Sequence, residues 1–102
     1  MIKTVCETRR ALKSLAQAPE FVRINYLMWR GQIEESGLDE VRKVPGYHDE
    51  PLQGKLKHFR SVRLGRAYRI FYRIAAIDQI EAVLVEEVKR HDYKKIERLL
   101  DR

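Results

Sequence analysis

The chain has 102 residues, a length that fits one domain with one modest core over residues 1–102. Charged residues make up 35% and hydrophobic residues 44%, a balance that argues against a disordered chain. The formal net charge of +6 and a pI of about 9.7 point to a polyanionic partner, nucleic acid or an acidic protein, although a merely solubilising surface fits the total equally well.

Ile2-Lys3-Thr4-Val5-Cys6 alternates apolar and polar and predicts a short strand. Cys6 is the single cysteine, so no internal disulfide or cysteine-pair zinc site can form. Its apolar setting predicts a structural thiol rather than a nucleophile. Thr8 then suits the N-cap of a helix whose Ala11, Leu12, Leu15 and Ala16 share a face. Ala18-Pro19 ends that helix and starts another over Glu20 to Glu35, where Phe21, Ile24, Leu27, Met28 and Ile33 recur at helical spacing. Gly31 weakens this helix and Ser36-Gly37 stops it. Leu38 to Gly54 holds Pro45, Gly46, Pro51 and Gly54 with little periodicity and reads as a long ordered loop, whose Tyr47-His48-Asp49-Glu50 is chemically rich. Strands follow over Phe59 to Leu64, Ala67 to Ile74 and Ile80 to Val88. The connections are a tight turn at Gly65-Arg66 and a looser one over Ala75 to Gln79. A final helix is expected over Asp92 to Leu100, with Asp92 as N-cap. The predicted class is α+β in the order β-α-α-β-β-β-α, an antiparallel sheet with two N-terminal helices packed on one face. No apolar run approaches signal-peptide or membrane-spanning length, so the expected compartment is the cytoplasm and no membrane partner is expected.

Charge is concentrated. Pro51 to Ile77 contains no acidic residue, yet carries Lys55, Lys57, Arg60, Arg63, Arg66, Arg69 and Arg73, more cations than the net charge of the whole chain. Alternation along the second hairpin strand places Tyr68, Ile70, Tyr72 and Ile74 on one face, suited to packing under the helices. Arg69, Phe71 and Arg73 take the other. Guanidinium grips phosphate and an exposed Phe71 ring can stack on an unpaired base, a mixture that suits single-stranded RNA. The competing reading is a solvated face whose arginines pair with Glu81, Glu86 and Glu87 on the third strand.

Cleaving RNA through its own 2′-hydroxyl needs a base, a cation at the phosphorane and an acid for the leaving 5′-oxygen, with no metal or other cofactor. Glu50, Arg69 and His91 can fill these roles. Each also fits a structural one: Glu50 as a loop carboxylate, Arg69 as a salt-bridge partner, His91 as the residue before an N-cap.

The run Glu50-Pro51-Leu52-Gln53-Gly54, then Arg60-Ser61-Val62-Arg63-Leu64, then Tyr68-Arg69-Ile70-Phe71-Tyr72-Arg73-Ile74, resembles the RelE/ParE superfamily of type II toxin–antitoxin toxins. Val85 to Tyr93, ending His91-Asp92-Tyr93, is similar to that family's last strand and C-terminal motif, most of all in YoeB- and HigB-like members. The resemblance covers residues 44–95 closely and the N-terminal helices by element order. It implies a microbial-ribonuclease-like fold, ribosome-dependent mRNA cleavage, and inhibition by a cognate antitoxin protein in a hetero-oligomer. By motif position, Glu50 matches the general base, Arg69 the arginine at the scissile phosphate, His91 the general acid and Tyr93 the tyrosine beside it. Lys55 and Lys57 match basic residues that hold mRNA or ribosomal RNA. Gln53 stands where YoeB-type members carry lysine, and Asp92 separates His91 from Tyr93, so the acid can be supplied by His91 or Asp92. The alternative within the same superfamily is a ParE-like gyrase inhibitor that cuts no RNA.

Overall fold

The computed structural model describes residues 1–90 together with Arg98 and Leu100. The elements run β1 (Thr4–Glu7), α1 (Arg9–Gln17), α2 (Glu20–Ser36), α3 (Leu38–Arg42), β2 (Glu50–Pro51), β3 (Arg60–Arg63), β4 (Tyr68–Ile77) and β5 (Ile80–Arg90). Single 3₁₀ turns lie at Pro45–Tyr47 and Gly54–Leu56.

Local chemistry sets the helix ends. Thr8 Oγ1 accepts the Ala11 amide at 3.1 Å and so caps α1. It also donates to the Glu86 carbonyl at 3.2 Å, which ties that cap to β5. Ala18 is extended, at ψ 157°, as the residue before a proline must be, and Pro19 opens α2. Gly37 stops α2 at φ +89°, where its amide reaches the Ile33 carbonyl at 2.8 Å. A side chain there would be strained and would press against Met1.

The sheet order is β1-β5-β4-β3-β2. β3, β4 and β5 are antiparallel neighbours, but β1 lies parallel to β5, so the sheet is mixed rather than wholly antiparallel. Short connections dictate direction only for β3 to β5. Three helices intervene between β1 and the next strand, so no turn dictates its direction.

Two further expectations are corrected. The stretch 38–54 is not a bare loop. Leu38 and Val41 are buried and make α3 one packed turn, and Glu50–Pro51 adds an edge strand, a position where proline costs no ladder bond. The turn after β4 is also tighter than Ala75 to Gln79. Asp78 and Gln79 both adopt positive φ, 50° and 68°, and Ile77 pairs directly with Ile80, the geometry of a two-residue primed hairpin. A bulge between Phe71 and Tyr72 matches them to Glu87 and Val85, which leaves Glu86 as the extra residue of β5.

The main core lies between the helices and one sheet face, with Val22, Tyr26, Trp29 and Ile33 of α2 against Ile70, Tyr72, Val83 and Val85. Phe21, Ile24, Leu27 and Met28 mark the helix correctly, yet all four are at least half exposed. The buried stripe is the interleaved one, because it carries the large rings of Tyr26 and Trp29. A second cluster on the opposite sheet face joins Leu52, Leu56, Phe59 and Phe71, with Leu100 packed against it. Arg98 and Leu100 are helical, while Asp92 as cap and the rest of the expected final helix lie outside the described residues. Among the described residues no helix is long and apolar enough to cross a membrane.

Candidate functional site

Residues opposite one another across a ladder share a sheet face. Arg63 on β3 stands opposite Arg69 on β4, and Arg69 stands opposite Lys89 on β5. Three like charges thus cross three adjacent strands. Directly opposed like charges destabilise a sheet, so this row costs folding free energy unless an anion lies over it. Arg66 in the β3–β4 turn and Arg90, opposite Tyr68, extend the same end. Arg63, Arg66 and Arg90 are exposed, and Arg69 and Lys89 half-buried. Among the described residues none of these five makes an ion pair. Arg69 donates from Nη1 to Ser61 Oγ at 3.3 Å, which aims its guanidinium across β3.

That aim is toward Glu50. Glu50 begins β2, is exposed, and pairs with Ser61, which pairs with Phe71. Phe71 belongs to the second cluster, whereas its neighbours Ile70 and Tyr72 belong to the main core. Glu50, Ser61, Arg63 and Arg69 therefore all sit on the sheet face opposite the main core. Two interstrand steps and a two-residue offset separate the Glu50 and Arg69 backbones by roughly 12 Å, a span suited to a ribose and phosphate between them.

Lys55, in the Gly54–Leu56 turn, and Lys57, just after it, are exposed. Arg73 faces Glu86, with Nε to Oε2 at 2.8 Å, so the ion-paired reading holds for this arginine. Glu87 is instead buried, accepting from Ser14 Oγ and from the Val88 amide at 3.0 Å. The expected exposed ring is a correction: Phe71 is 0% exposed, sealed by Leu52, Leu56 and Phe59, so no base can stack on it. Burying a phenyl ring outweighs displaying it, and the loop after β2 supplies the cover. His91 and Tyr93 lie outside the described residues.

Asp49, which the sequence places in a chemically rich loop without marking a role for it, holds this loop in place. Its side chain is 1% exposed. It accepts from Arg60 Nε at 2.5 Å and from the Tyr72 hydroxyl at 2.6 Å. Arg60 Nη2 also donates to the Asp49 carbonyl at 3.2 Å, and Arg42 Nε approaches the Tyr72 oxygen at 3.5 Å. Burial, and secondarily the Asp49 charge and hydrogen bond, hold the Tyr72 hydroxyl above its ordinary pKa, so it stays a donor. His48 precedes this anchor at φ +45°, and the reversal leaves Asp49 turned in and Glu50 turned out. The adjacent acids Asp49-Glu50 are the only sequence signal, and they do not tell which is buried. Among the described residues no three His, Cys, Asp or Glu side chains cluster as metal ligands would.

No family model matches the chain, and no curated protein matches it. Solved structures do. YafQ from E. coli strain BL21(DE3) is 17% identical, with a TM-score of 0.64 over 87% of this chain and 93% of that one. A chain of the archaeal RelE–RelB complex from Pyrococcus horikoshii is 21% identical, with a TM-score of 0.61 over 88% and 96%. A chain of the toxin–antitoxin complex RelBE2 from Mycobacterium tuberculosis is 23% identical, with a TM-score of 0.56 over 89% and 100%. At these identities the likeness is one of fold. With α2 packed on one face of a mixed five-stranded sheet and the Arg63–Arg69–Lys89 row on the other, the chain has the RelE/YoeB-like toxin fold.

Proposed function

We propose that the chain is the toxin of a toxin–antitoxin pair, an endoribonuclease that cuts mRNA on the ribosome. The observation that carries this reading is the opposed row Arg63–Arg69–Lys89, without a carboxylate partner among the described residues, on the same face as the exposed Glu50. Glu50 takes the proton of the 2′-hydroxyl, and the 2′-oxygen attacks the adjacent phosphorus. Arg69 neutralises the phosphorane. As the bond to the 5′-oxygen breaks, His91, beside Tyr93, supplies its proton. The products are a 2′,3′-cyclic phosphate and a 5′-hydroxyl. Lys55, Lys57 and Arg66 hold flanking mRNA or ribosomal RNA phosphates.

The direct test removes the nucleophile and leaves the protein untouched. An mRNA carrying a 2′-deoxy nucleotide at the cleavage site should resist cutting there on programmed ribosomes. Cleavage of the same bond at the same rate would make water or a protein group the attacker. A chain that cuts no RNA and blocks gyrase supercoiling would instead be a ParE-like inhibitor.

The opposed charges predict a trade between folding and binding. Arg63→Thr should raise stability by about 0.2–1 kcal/mol, since it relieves repulsion with Arg69. It should also flatten the dependence of log affinity for single-stranded RNA on log salt by about 0.7. Chemical denaturation and salt-titrated binding read the two effects. An unchanged salt slope would remove Arg63 from the interface.

The partner that silences the site is an antitoxin segment bearing carboxylates laid over the Arg63–Arg69–Lys89 row. The half-exposed Phe21, Ile24, Leu27 and Met28 of α2 form an apolar patch of the kind that marks interaction surfaces. Association with the antitoxin should speed up as salt falls. Stopped-flow rates indifferent to ionic strength would count against an electrostatic cover.

A further inference from the structure

β3 begins at Arg60, opposite Tyr72, while β4 runs on to Ile77. Among the described residues, 73–77 therefore have no strand on that side, and the step leaves a notch in the sheet edge. The notch is a cleft of about 300 Å³ lined by Arg42, Lys57, His58, Arg60, Tyr72, Arg73 and Ile74. Four of these seven residues are permanent cations contributed by four separate segments: the end of α3, the turn before β3, β3 and β4. Among the described residues no carboxylate lines it.

The cations are partly pre-set. The buried Asp49 holds Arg60 through Nε and Nη2, which among the described residues leaves Nη1 uncommitted. Glu86 takes Nε of Arg73, which among the described residues leaves both of its terminal nitrogens. Arg42 spends only Nε among the described residues, on Tyr72. Lys57 makes no ion pair among the described residues. Asp49 and Glu86 thus orient two guanidiniums from behind, and the donors left over belong to four cations around one small cavity. Guanidinium forks and an ammonium turned on one cleft match a tetrahedral oxyanion in charge and in donor geometry. A space of this size is too small for a folded partner, and its lining offers one aliphatic side chain, Ile74.

We propose that this notch is a phosphate seat that holds one backbone phosphodiester of the RNA strand, apart from the phosphate at Arg69. The inference rests on the nuclease reading. Arg69 and Arg73 lie four residues apart on β4, about 13 Å along the strand, with the Phe71 plug between them. The two seats therefore fix the strand at two points and set which bond lies over Glu50. Arg42 and His58 join the RNA-contacting residues.

The test uses the full chain and two probes at constant ionic strength. Inorganic phosphate, exchanged for chloride, should saturably shift the backbone amides of residues 57, 58, 60 and 73. A single-stranded RNA lacking terminal phosphates and bearing a 2′-deoxy nucleotide at the cleavage site should shift the same amides and displace phosphate. Arg42→Ala and Lys57→Ala should each weaken both ligands about tenfold, the loss of one charge-assisted contact. Lys57 is exposed and serves if loss of the Arg42–Tyr72 contact unfolds the chain. Shifts confined to residues 63, 66, 69 and 89, or affinities untouched by both substitutions, would overturn the seat while leaving the nuclease reading intact. Phosphate in the notch that the oligonucleotide fails to displace would overturn the RNA assignment. If the notch passes both probes and ribosome-bound mRNA is never cut, the seat stands and the nuclease reading falls.

Discussion

Arg69→Ala should lose on the order of a hundredfold to a thousandfold in single-turnover mRNA cleavage on saturated ribosomes, the usual loss when one transition-state electrostatic contact is removed. The fixed charge of Arg69 matters most when the phosphorane forms, so the loss belongs in the rate and only modestly in binding. Folding should not suffer. Arg69 sits between Arg63 and Lys89, and in the described structure it gives up only a 3.3 Å hydrogen bond to Ser61. Stability and catalysis are therefore separable at this residue. Arg69→Lys keeps the charge but loses the fork that grips two phosphate oxygens, and should fall between the two. A loss of less than tenfold at saturating ribosomes would take Arg69 out of the reaction.

Asp49→Ala should cost about 3–5 kcal/mol of folding free energy, the range for breaking a buried pair and leaving its partner behind. Both Arg60 and the buried Tyr72 hydroxyl would lose their acceptor. Against a typical total of about 5–15 kcal/mol this is a severe loss. Asp49→Asn should cost less, since it still accepts from Tyr72 but no longer balances Arg60. The neighbouring Glu50→Gln, on an exposed side chain, should change stability by no more than about 0.5 kcal/mol while slowing cleavage. Urea denaturation of the three variants separates the structural acid from the chemical one. An Asp49→Ala chain within about 1 kcal/mol of the parent would mean that the network contributes little to the fold.

Much of the architecture is legible in the residues themselves. Thr8, Pro19 and Gly37 mark helix ends because capping, φ restriction and positive φ are local properties. The 3.6 period marks α2, and the alternation of Tyr68, Ile70, Tyr72 and Ile74 correctly identifies the face of β4 that packs beneath the helices. The acid-free stretch from Pro51 to Ile77 marks the basic hairpin. What depends on distant partners is not legible. Only the folded chain decides that β1 runs parallel to β5, because no tight turn constrains it. Only the fold decides that Phe71 is sealed, because its cover comes from Leu52, Leu56 and Phe59 on the loop after β2. The same holds for which α2 stripe is buried, since two amphipathic faces compete and the larger rings win the core. The site divides likewise. Glu50 and Arg69 can be named from sequence as chemical types, but that Arg63, Arg69 and Lys89 stand opposite one another follows from strand register. That Asp49 is the buried acid of the pair Asp49-Glu50 follows from the convergence of Arg60 and Tyr72 on it, because a carboxylate leaves water only where other elements bring it compensating donors.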